Sequence, residues 1–231
     1  MGKSRRPARR VPAPARLSAN QRRRGVLLLS GFEPFGGERV NPSWEVAARL
    51  DGATAGDLVV RAVKLPVDTR RAIRVLTAAI RRLRPRAVLG LGQAGGRPAI
   101  SLEKVAVNLV ERRAGHETDG GLNGVPVVRG APAAYFARLP LREIMRALER
   151  RGIPATLSLS AGAFVCNSVM YAALHELRAR PETTAGFIHL PYNAEQATRR
   201  RNMPSMTVEM MVAAVETAAA AIARRHGRMP G

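Results

Sequence analysis

Short apolar runs alternate with amphipathic stretches along most of the chain. Apolar runs occupy 25–31, 58–65 and 87–92, and stretches with a helical period occur near 42–50 and 69–84. In the latter, apolar residues recur every three or four positions, as in a helix with one buried face. Alternation of this kind predicts parallel strands joined by crossover helices.

The second half of the chain continues the alternation. It predicts strands at 155–160 and 185–191, and helices at 139–152, 165–179 and 205–225. The strands are short, apolar and bounded by Gly or Pro, which is typical of a sheet covered on both faces. The predicted fold class is therefore α/β, as a single-domain, open three-layer α/β/α sandwich with a largely parallel twisted sheet. The glycine-rich segment 108–133 lacks this periodicity and is predicted to be irregular or a hairpin.

Length and charge divide the chain into two parts. The 231 residues carry a net charge of +21, and residues 1–25 contain nine Lys and Arg and no acid. Residues 1–24 are therefore predicted to be a disordered basic arm, and 25–231 a single catalytic domain, since one core serves chains up to about 250 residues. No apolar stretch approaches the roughly 18 residues of a membrane span, so no membrane partner is expected.

Composition limits the partners and cofactors. Arginines outside the arm lie largely on the polar faces of predicted helices, and aromatic residues make up 4% of the chain. Proteins that bind single-stranded nucleic acid interleave basic and aromatic residues, so such binding is expected, if anywhere, in the arm. A single cysteine excludes an internal disulfide, and no CxxC or HExxH motif provides a metal site. We expect no metal, no cofactor and a cytoplasmic location.

The stretch GLGQAG, residues 90–95, matches G-x-G-x-x-G after a predicted strand. A dinucleotide site also needs a helix that opens at the third glycine and an acidic residue about twenty positions later. Here Arg97 and Pro98 follow, and ISLEKVAVN then alternates like a strand. We therefore expect a tight loop above the sheet instead of a nucleotide site.

Cys166 lies between a predicted strand and a predicted helix in SLSAGAFVCNS, residues 158–168. An isolated cysteine is often a small buried hydrophobic residue. A strand-to-helix turn, however, exposes a nucleophile at the carboxyl edge of the sheet, where first-turn amides lower a thiol pKa and stabilise an oxyanion. The position favours a catalytic thiol with a pKa below the usual value of about 8.5.

A catalytic thiol needs a histidine, and the chain has four. His226 is near the C-terminus, His116 lies in the irregular segment, and His175 is half a helical turn out of phase with Cys166. His189 ends a predicted strand at the same sheet edge and is the best partner. A carboxylate or an amide would orient it, and composition leaves Glu33, Asp68, Glu103 and Asp119 open. Glu103 is the best placed of these, because it follows the glycine-rich loop.

Four stretches together resemble the pyroglutamyl peptidase I family, the pyrrolidone-carboxylate peptidases. They are GFEPFGG with NPS (31–43), GQAGGRPAISLEKVAVN (92–108), SLSAGAFVCN (158–167) and GFIHLP (186–191). The resemblance extends from about residue 26 to the end of the chain. It implies hydrolysis of N-terminal pyroglutamate from peptides through an acyl-enzyme, without metal or cofactor, by an enzyme that is often a homotetramer.

The resemblance also implies roles for individual residues. Cys166 would be the nucleophile, His189 the general base and acid, and Glu103 the residue that orients His189. A neutral lactam needs flat apolar walls, which Phe32, Phe35, Phe164 and Val165 can provide. Asn41 either contributes to the pocket or caps the helix that Pro42 begins.

Two features depart from the family pattern, and two alternative functions stay open. Segment 109–125 is unusually basic and glycine-rich, and the arm has no counterpart in the family. One alternative keeps the Cys-His-Glu residues but assigns another small cyclic amide or acyl substrate. The other is an inactive, basic nucleic-acid-binding protein, which the shortage of aromatic residues near basic ones argues against.

Overall fold

The apolar runs of the chain form the strands of the structure. A computed structural model describes residues 24–111 and 124–227. Its strands are β1 (Gly25–Phe32), β2 (Thr54–Ala55), β3 (Leu58–Leu65), β4 (Ala87–Gln93), β5 (Ile100–Glu103), β6 (Val105–Val107), β7 (Ala134–Phe136), β8 (Ala155–Ser158) and β9 (Thr184–Leu190).

Seven of these strands form one sheet in the order β2-β3-β1-β4-β9-β5-β8. β3, β1, β4 and β9 are mutually parallel, which agrees with the predicted α/β class. β5 pairs with β9 in the antiparallel direction and with β8 in the parallel direction, so the sheet is mixed at this end. β6 and β7 form a separate antiparallel ribbon.

Helices cover both faces of the sheet, as the sequence predicts. They are α1 (Pro42–Arg49), α2 (Thr69–Leu83), α3 (Leu141–Arg150), α4 (Val165–Glu176), α5 (Ala194–Thr198) and α6 (Val208–Gly227). Alternate residues of β1 divide between the faces: Leu27 and Leu29 pack with α1, α3 and α6, whereas Leu28 packs with α2 and α4. The period-two geometry of a strand thus supplies two cores from one apolar run.

The predicted elements agree closely with the structure, and two predicted segments fall partly outside it. The expected disordered arm lies outside the described residues except for Arg24, whose guanidinium donates to the Gly56 carbonyl at 2.8 Å. Within 108–133, Val110 and Val125 form an antiparallel bridge, and 112–123 are outside the described residues. In the described part of the chain, no helix has the length and apolar character to cross a membrane.

Candidate active site

The turn between β8 and α4 places Cys166 at the sheet edge. Gly162 has φ +78°, a left-handed conformation that glycine adopts without strain, and it directs the chain into α4. α4 begins at Val165, and its N-cap residue Phe164 makes no side-chain capping hydrogen bond. Phe164 thus leaves the first-turn amides of α4 without a side-chain cap, and Cys166 lies among them.

The thiol of Cys166 packs above the carboxyl end of β4. A β-carbon built on Gly92 would lie 2.8 Å from Cys166 Sγ and 2.8 Å from the ring of Phe187. Only a residue without a side chain leaves room for the sulfur there. The second glycine of GLGQAG therefore accommodates a thiol, and in the structure the loop leads into β5 instead of a helix.

His189 lies near the end of β9 and is held by a carboxylate. Its Nδ1 is 2.8 Å from Oε1 of Glu103, and both side chains are almost fully buried, at 5% and 0% exposed. An ionised carboxylate only accepts hydrogen bonds, so Nδ1 carries the proton and Nε2 is left with its lone pair. That tautomer is the one a general base needs.

Glu103 reaches His189 because β5 runs antiparallel to β9. In this register Ser101 faces His189 and Glu103 faces Phe187, so all four side chains project from the same face of the sheet. Glu103 and His189 are thus diagonal neighbours, a separation that a long side chain spans. The ring of Phe187 packs against His189 with centroids 5.0 Å apart, which fixes the imidazole from the other side.

Glu103 is a buried carboxylate that remains ionised. Burial raises its pKa, but the hydrogen bond and charge of His189, together with Ser158 and Arg97, more than offset burial and hold the pKa below its ordinary value of 4.5. Oε2 has no hydrogen-bond partner among the described residues. The carboxylate is therefore held mainly through Oε1.

The Cys166 thiol has the opposite shift from the one that its helix position predicts. Burial raises its pKa to about 12, and the negative charge of Glu103 adds to this, whereas Arg97 and the amide of Cys166 itself lower it. The prediction of a pKa below the usual value is therefore wrong for the substrate-free structure. The reason is that burial and a nearby carboxylate outweigh the contribution of the helix terminus.

Cys166 and His189 open onto a cavity of about 490 Å³. The five residues that the sequence suggested as substrate-binding all line it: Phe32, Phe35, Asn41, Phe164 and Val165. Phe32 is buried, while Phe164 is 38% exposed at the mouth. Glu103 is not part of the lining and acts from behind His189.

Asn41 lines the cavity but its amide is already occupied. Its Oδ1 accepts from the Ser43 amide at 3.0 Å and the Ser43 hydroxyl at 2.7 Å, and its Nδ2 donates to the Glu33 carbonyl at 3.0 Å. Of the two roles that the sequence left open, the structure shows the helix cap. Asn41 holds the GFEPFGG loop against α1 and thereby positions Phe32 and Phe35.

Several polar residues of the cavity were not anticipated from the sequence. These are Glu38, Gln93, Arg97, Tyr192 and Arg200. Oε1 of Gln93 accepts a hydrogen bond from Gln196 at 2.9 Å, which orients its amide. The GQAGGRPAISLE stretch could have indicated Gln93 and Arg97, because a loop at the carboxyl end of a strand commonly carries site residues.

The other histidines and carboxylates that the sequence offered have separate roles. His175 Nδ1 bonds the hydroxyl of Tyr135 at 3.0 Å, and His226 bonds Thr184 at 3.1 Å. Glu33 accepts from the Val67 amide, and Asp68 caps α2 by accepting from the Arg71 amide. His116 and Asp119 lie outside the described residues.

Comparison with known proteins gives a consistent result over nearly all of the described chain. The pyroglutamyl peptidase family model, Peptidase C15, matches residues 25–225. The pyrrolidone-carboxylate peptidase of Chromobacterium violaceum is 48% identical over 84% of this chain and 90% of its own. That of Klebsiella pneumoniae is 46% identical over 86% of this chain and 93% of its own.

Solved structures are equally similar. The crystal structure of Bacillus amyloliquefaciens pyroglutamyl peptidase I superposes with a TM-score of 0.82 at 38% identity, covering 87% of this chain and 97% of that one. A mutant pyrrolidone carboxyl peptidase of Pyrococcus furiosus gives 0.82 at 40% identity, covering 87% and 99%. The chain therefore belongs to the pyroglutamyl peptidase family.

Proposed function

We propose that the protein removes N-terminal pyroglutamate from peptides, with Cys166 as nucleophile, His189 as general base and acid, and Glu103 orienting His189. The observation that carries the proposal is that Cys166 and His189 open onto one largely apolar cavity while His189 is bonded to a buried, ionised Glu103. Acyl transfer through a thioester requires a nucleophile, a general base and a group that orients the base.

Proton and bond changes balance over two half-reactions. His189 Nε2 takes the thiol proton as Sγ attacks the pyroglutamyl carbonyl carbon, and it then gives that proton to the departing amine. The C–N bond breaks and a thioester to Cys166 remains. Water then attacks the thioester while His189 takes its proton and returns it to the sulfur, which releases pyroglutamic acid and restores the enzyme.

The high thiol pKa decides when the proton moves. At neutral pH a thiol with a pKa of about 12 is protonated in the free enzyme. In the proposed mechanism, His189 therefore removes the proton during attack, with no preformed thiolate. We infer that the amides at the start of α4, which the N-cap side chain leaves uncapped, donate to the oxyanion of the tetrahedral intermediate.

The cavity walls suit a neutral ring better than a charged amino terminus. Phe32, Phe35, Phe164 and Val165 give apolar surface on which a flat lactam can pack. Gln93, oriented by Gln196, is a polar group able to bond a lactam amide. A free ammonium group would lose its hydration against these walls and gain little in exchange.

Chromophore release from a pyroglutamyl amide, compared with the matching prolyl amide, tests the proposal. We expect the wild type to cleave the pyroglutamyl amide at a rate at least about 10²-fold above that for prolyl, because proline lacks the lactam carbonyl and carries a charge. Cys166→Ser should lose activity and His189→Gln should lose most of it. An inactive wild type, or a Cys166→Ser variant that retains turnover, would overturn the assignment. Preferential cleavage of another cyclic amide would support the alternative substrate.

Two further expectations belong to the same proposal. A reducing compartment such as the cytoplasm would keep the single cysteine as a free thiol.

A homo-oligomer is supported by three exposed apolar side chains on neighbouring segments, Phe136, Leu157 and Leu159. Light scattering on a sizing column should show an assembly that Leu159→Glu dissociates. A monomeric wild type would contradict this.

A further inference from the structure

Arg97 shares an oxygen of Glu103 with the histidine. Its Nη1 lies 2.7 Å from Glu103 Oε1, the same atom that accepts from His189 Nδ1 at 2.8 Å. The Arg97 side chain is 37% exposed and lines the cavity, whereas Glu103 is fully buried. One carboxylate oxygen thus links a group at the cavity surface to the imidazole behind it.

The loop after β4 brings Arg97 to this position. Gly96 has φ +87°, and the Arg97 amide donates to the Ala94 carbonyl at 3.3 Å, so the chain turns back on itself before β5 begins. On the other side of the turn, a β-carbon on Gly95 would lie 2.0 Å from the ring of Tyr192. The turn is therefore packed closely, and Arg97 extends from it toward Glu103.

A buried carboxylate with one unbonded oxygen needs a positive charge nearby. Arg97 carries a full positive charge beside the carboxylate, whereas His189 is charged only when it is protonated. The same charge acts on the thiol, because Glu103 raises the pKa of Cys166 and Arg97 lowers it. Arg97 thus opposes the effect of Glu103 on the nucleophile without breaking the bond between Glu103 and His189.

The remaining charged groups at the cavity do not duplicate this role. Arg200 is ion-paired with Glu38 and stacks over the ring of Tyr192 at 4.7 Å. The ionisable residues that line the cavity are Glu38, Arg97, Cys166, His189, Tyr192 and Arg200, with Glu103 behind them. Among the described arginines and lysines, Arg97 is the one bonded to the Glu103 carboxylate.

We propose that Arg97 is a positioning residue of the catalytic site, which holds the Glu103 carboxylate in place for His189 and offsets its charge as the thiolate forms. The expected effect of Arg97 on turnover rests on the proposed function. The electrostatic effect concerns the reactivity of Cys166 and is measurable without any substrate. Arg97 acts through Glu103 and touches no reacting atom in this scheme.

The test compares Arg97→Gln, which removes the charge, with Arg97→Lys, which keeps it but loses the planar fork. Arg81→Gln is the matched control, because Arg81 forms a two-bond pair with Glu176 at 2.8 Å on the surface of α2 and α4. Thermal unfolding of each variant establishes that it folds. The readouts are the rate of iodoacetamide alkylation against pH without substrate, and the pH profiles of kcat and KM on a pyroglutamyl amide.

Arg97→Gln should slow alkylation at pH 8 about three- to tenfold, because losing a nearby positive charge raises the thiol pKa by about half a unit to one unit. The acid limb of its kcat profile should move to higher pH, since the site then binds protons more tightly, and kcat should fall more than KM changes. Arg97→Lys should keep the alkylation rate near that of the wild type. Arg81→Gln should change neither.

The inference is overturned if Arg97→Gln matches Arg81→Gln in alkylation rate and in profile, or if Arg97→Lys and Arg97→Gln shift alike. These results differ from a failure of the proposed function. A wild type inactive on pyroglutamyl amides refutes that function, while slower alkylation in Arg97→Gln still supports the electrostatic role of Arg97. An active wild type with an unchanged alkylation rate in Arg97→Gln refutes the role of Arg97 alone.

Discussion

Gly92 lies directly beneath the thiol of Cys166, so that a β-carbon at this position would be 2.8 Å from Sγ. Gly92→Ala should therefore displace the sulfur from its place above the carboxyl end of β4. A misplacement of about 1 Å in a reacting group costs on the order of 10²-fold in rate. We expect kcat/KM on a pyroglutamyl amide to fall by about that factor.

Gly90→Ala provides the matched control for this prediction. A β-carbon on Gly90 would lie 2.3 Å from the ring of Phe187. Gly90→Ala therefore crowds the same core, but its nearest neighbour is Phe187 and not Cys166. Both variants should lose about 1–3 kcal/mol of unfolding free energy, the usual cost of overpacking. Equal losses of activity in the two would show that crowding of Phe187, and not displacement of Cys166, explains the Gly92→Ala result.

Removal of residues 1–23 should leave turnover of a small pyroglutamyl amide unchanged. Every described residue of the candidate site lies between Phe32 and Arg200, outside the sequence range of the basic arm. Binding of a single-stranded oligonucleotide, measured at low and physiological salt, should be lost in the truncated chain if the full chain binds at all. Binding that the truncated chain retains would place the oligonucleotide contact on the domain and contradict the prediction.

Local patterns in the sequence indicated Cys166 and His189 as candidate site residues. His189 lies near the end of the buried strand β9, as expected. β8, which precedes Cys166, is largely accessible and runs antiparallel to β9, so it is the segment between β8 and α4 that brings Cys166 to the cavity. The helix cap at Asn41 was likewise one of two roles that the sequence allowed. Local patterns sufficed because each signal depends on residues close together in the chain.

Other features depend on contacts between distant residues. The antiparallel pairing of β5 with β9, which makes Glu103 and His189 diagonal neighbours, is not marked in either strand. The pKa of the Cys166 thiol was predicted to be lowered, but it is raised, because burial and the charge of Glu103 outweigh the effect of the helix terminus. The role of Arg97 could not be predicted from the sequence, because its bond to Glu103 depends on the path of the turn after β4.

The depressed pKa of Glu103 predicts a pH dependence of stability. Its ordinary value is 4.5 and its folded value is lower, so the folded state favours the ionised form. The stability it contributes is present above 4.5 and is lost as the pH falls through the folded value. The melting temperatures of wild type and Glu103→Gln should therefore differ most at neutral pH and converge below 4.5. Glu149 is exposed, so Glu149→Gln controls for the removal of a carboxylate. A melting-temperature difference between wild type and Glu103→Gln that stays constant with pH would contradict the prediction.

Glu103→Gln should affect the two reactions of Cys166 in opposite directions. Glu103 raises the pKa of the thiol, so removing its charge lowers that pKa, and more thiolate is present at a given pH. Alkylation by iodoacetamide at pH 8 should become about three- to tenfold faster. Turnover of a pyroglutamyl amide should fall on the order of 10³-fold, because a neutral amide neither fixes the tautomer of His189 nor stabilises its protonated form.

Glu176→Gln is the control for these opposite changes, since Glu176 lies on the same helix as Cys166 but pairs with Arg81 at its other end. It should leave both rates near those of the wild type. If alkylation and turnover fell together in Glu103→Gln, the carboxylate would be acting as a structural support of the site. Glu103 orients His189 but also disfavours the thiolate of Cys166. Its removal should therefore speed alkylation while turnover is lost.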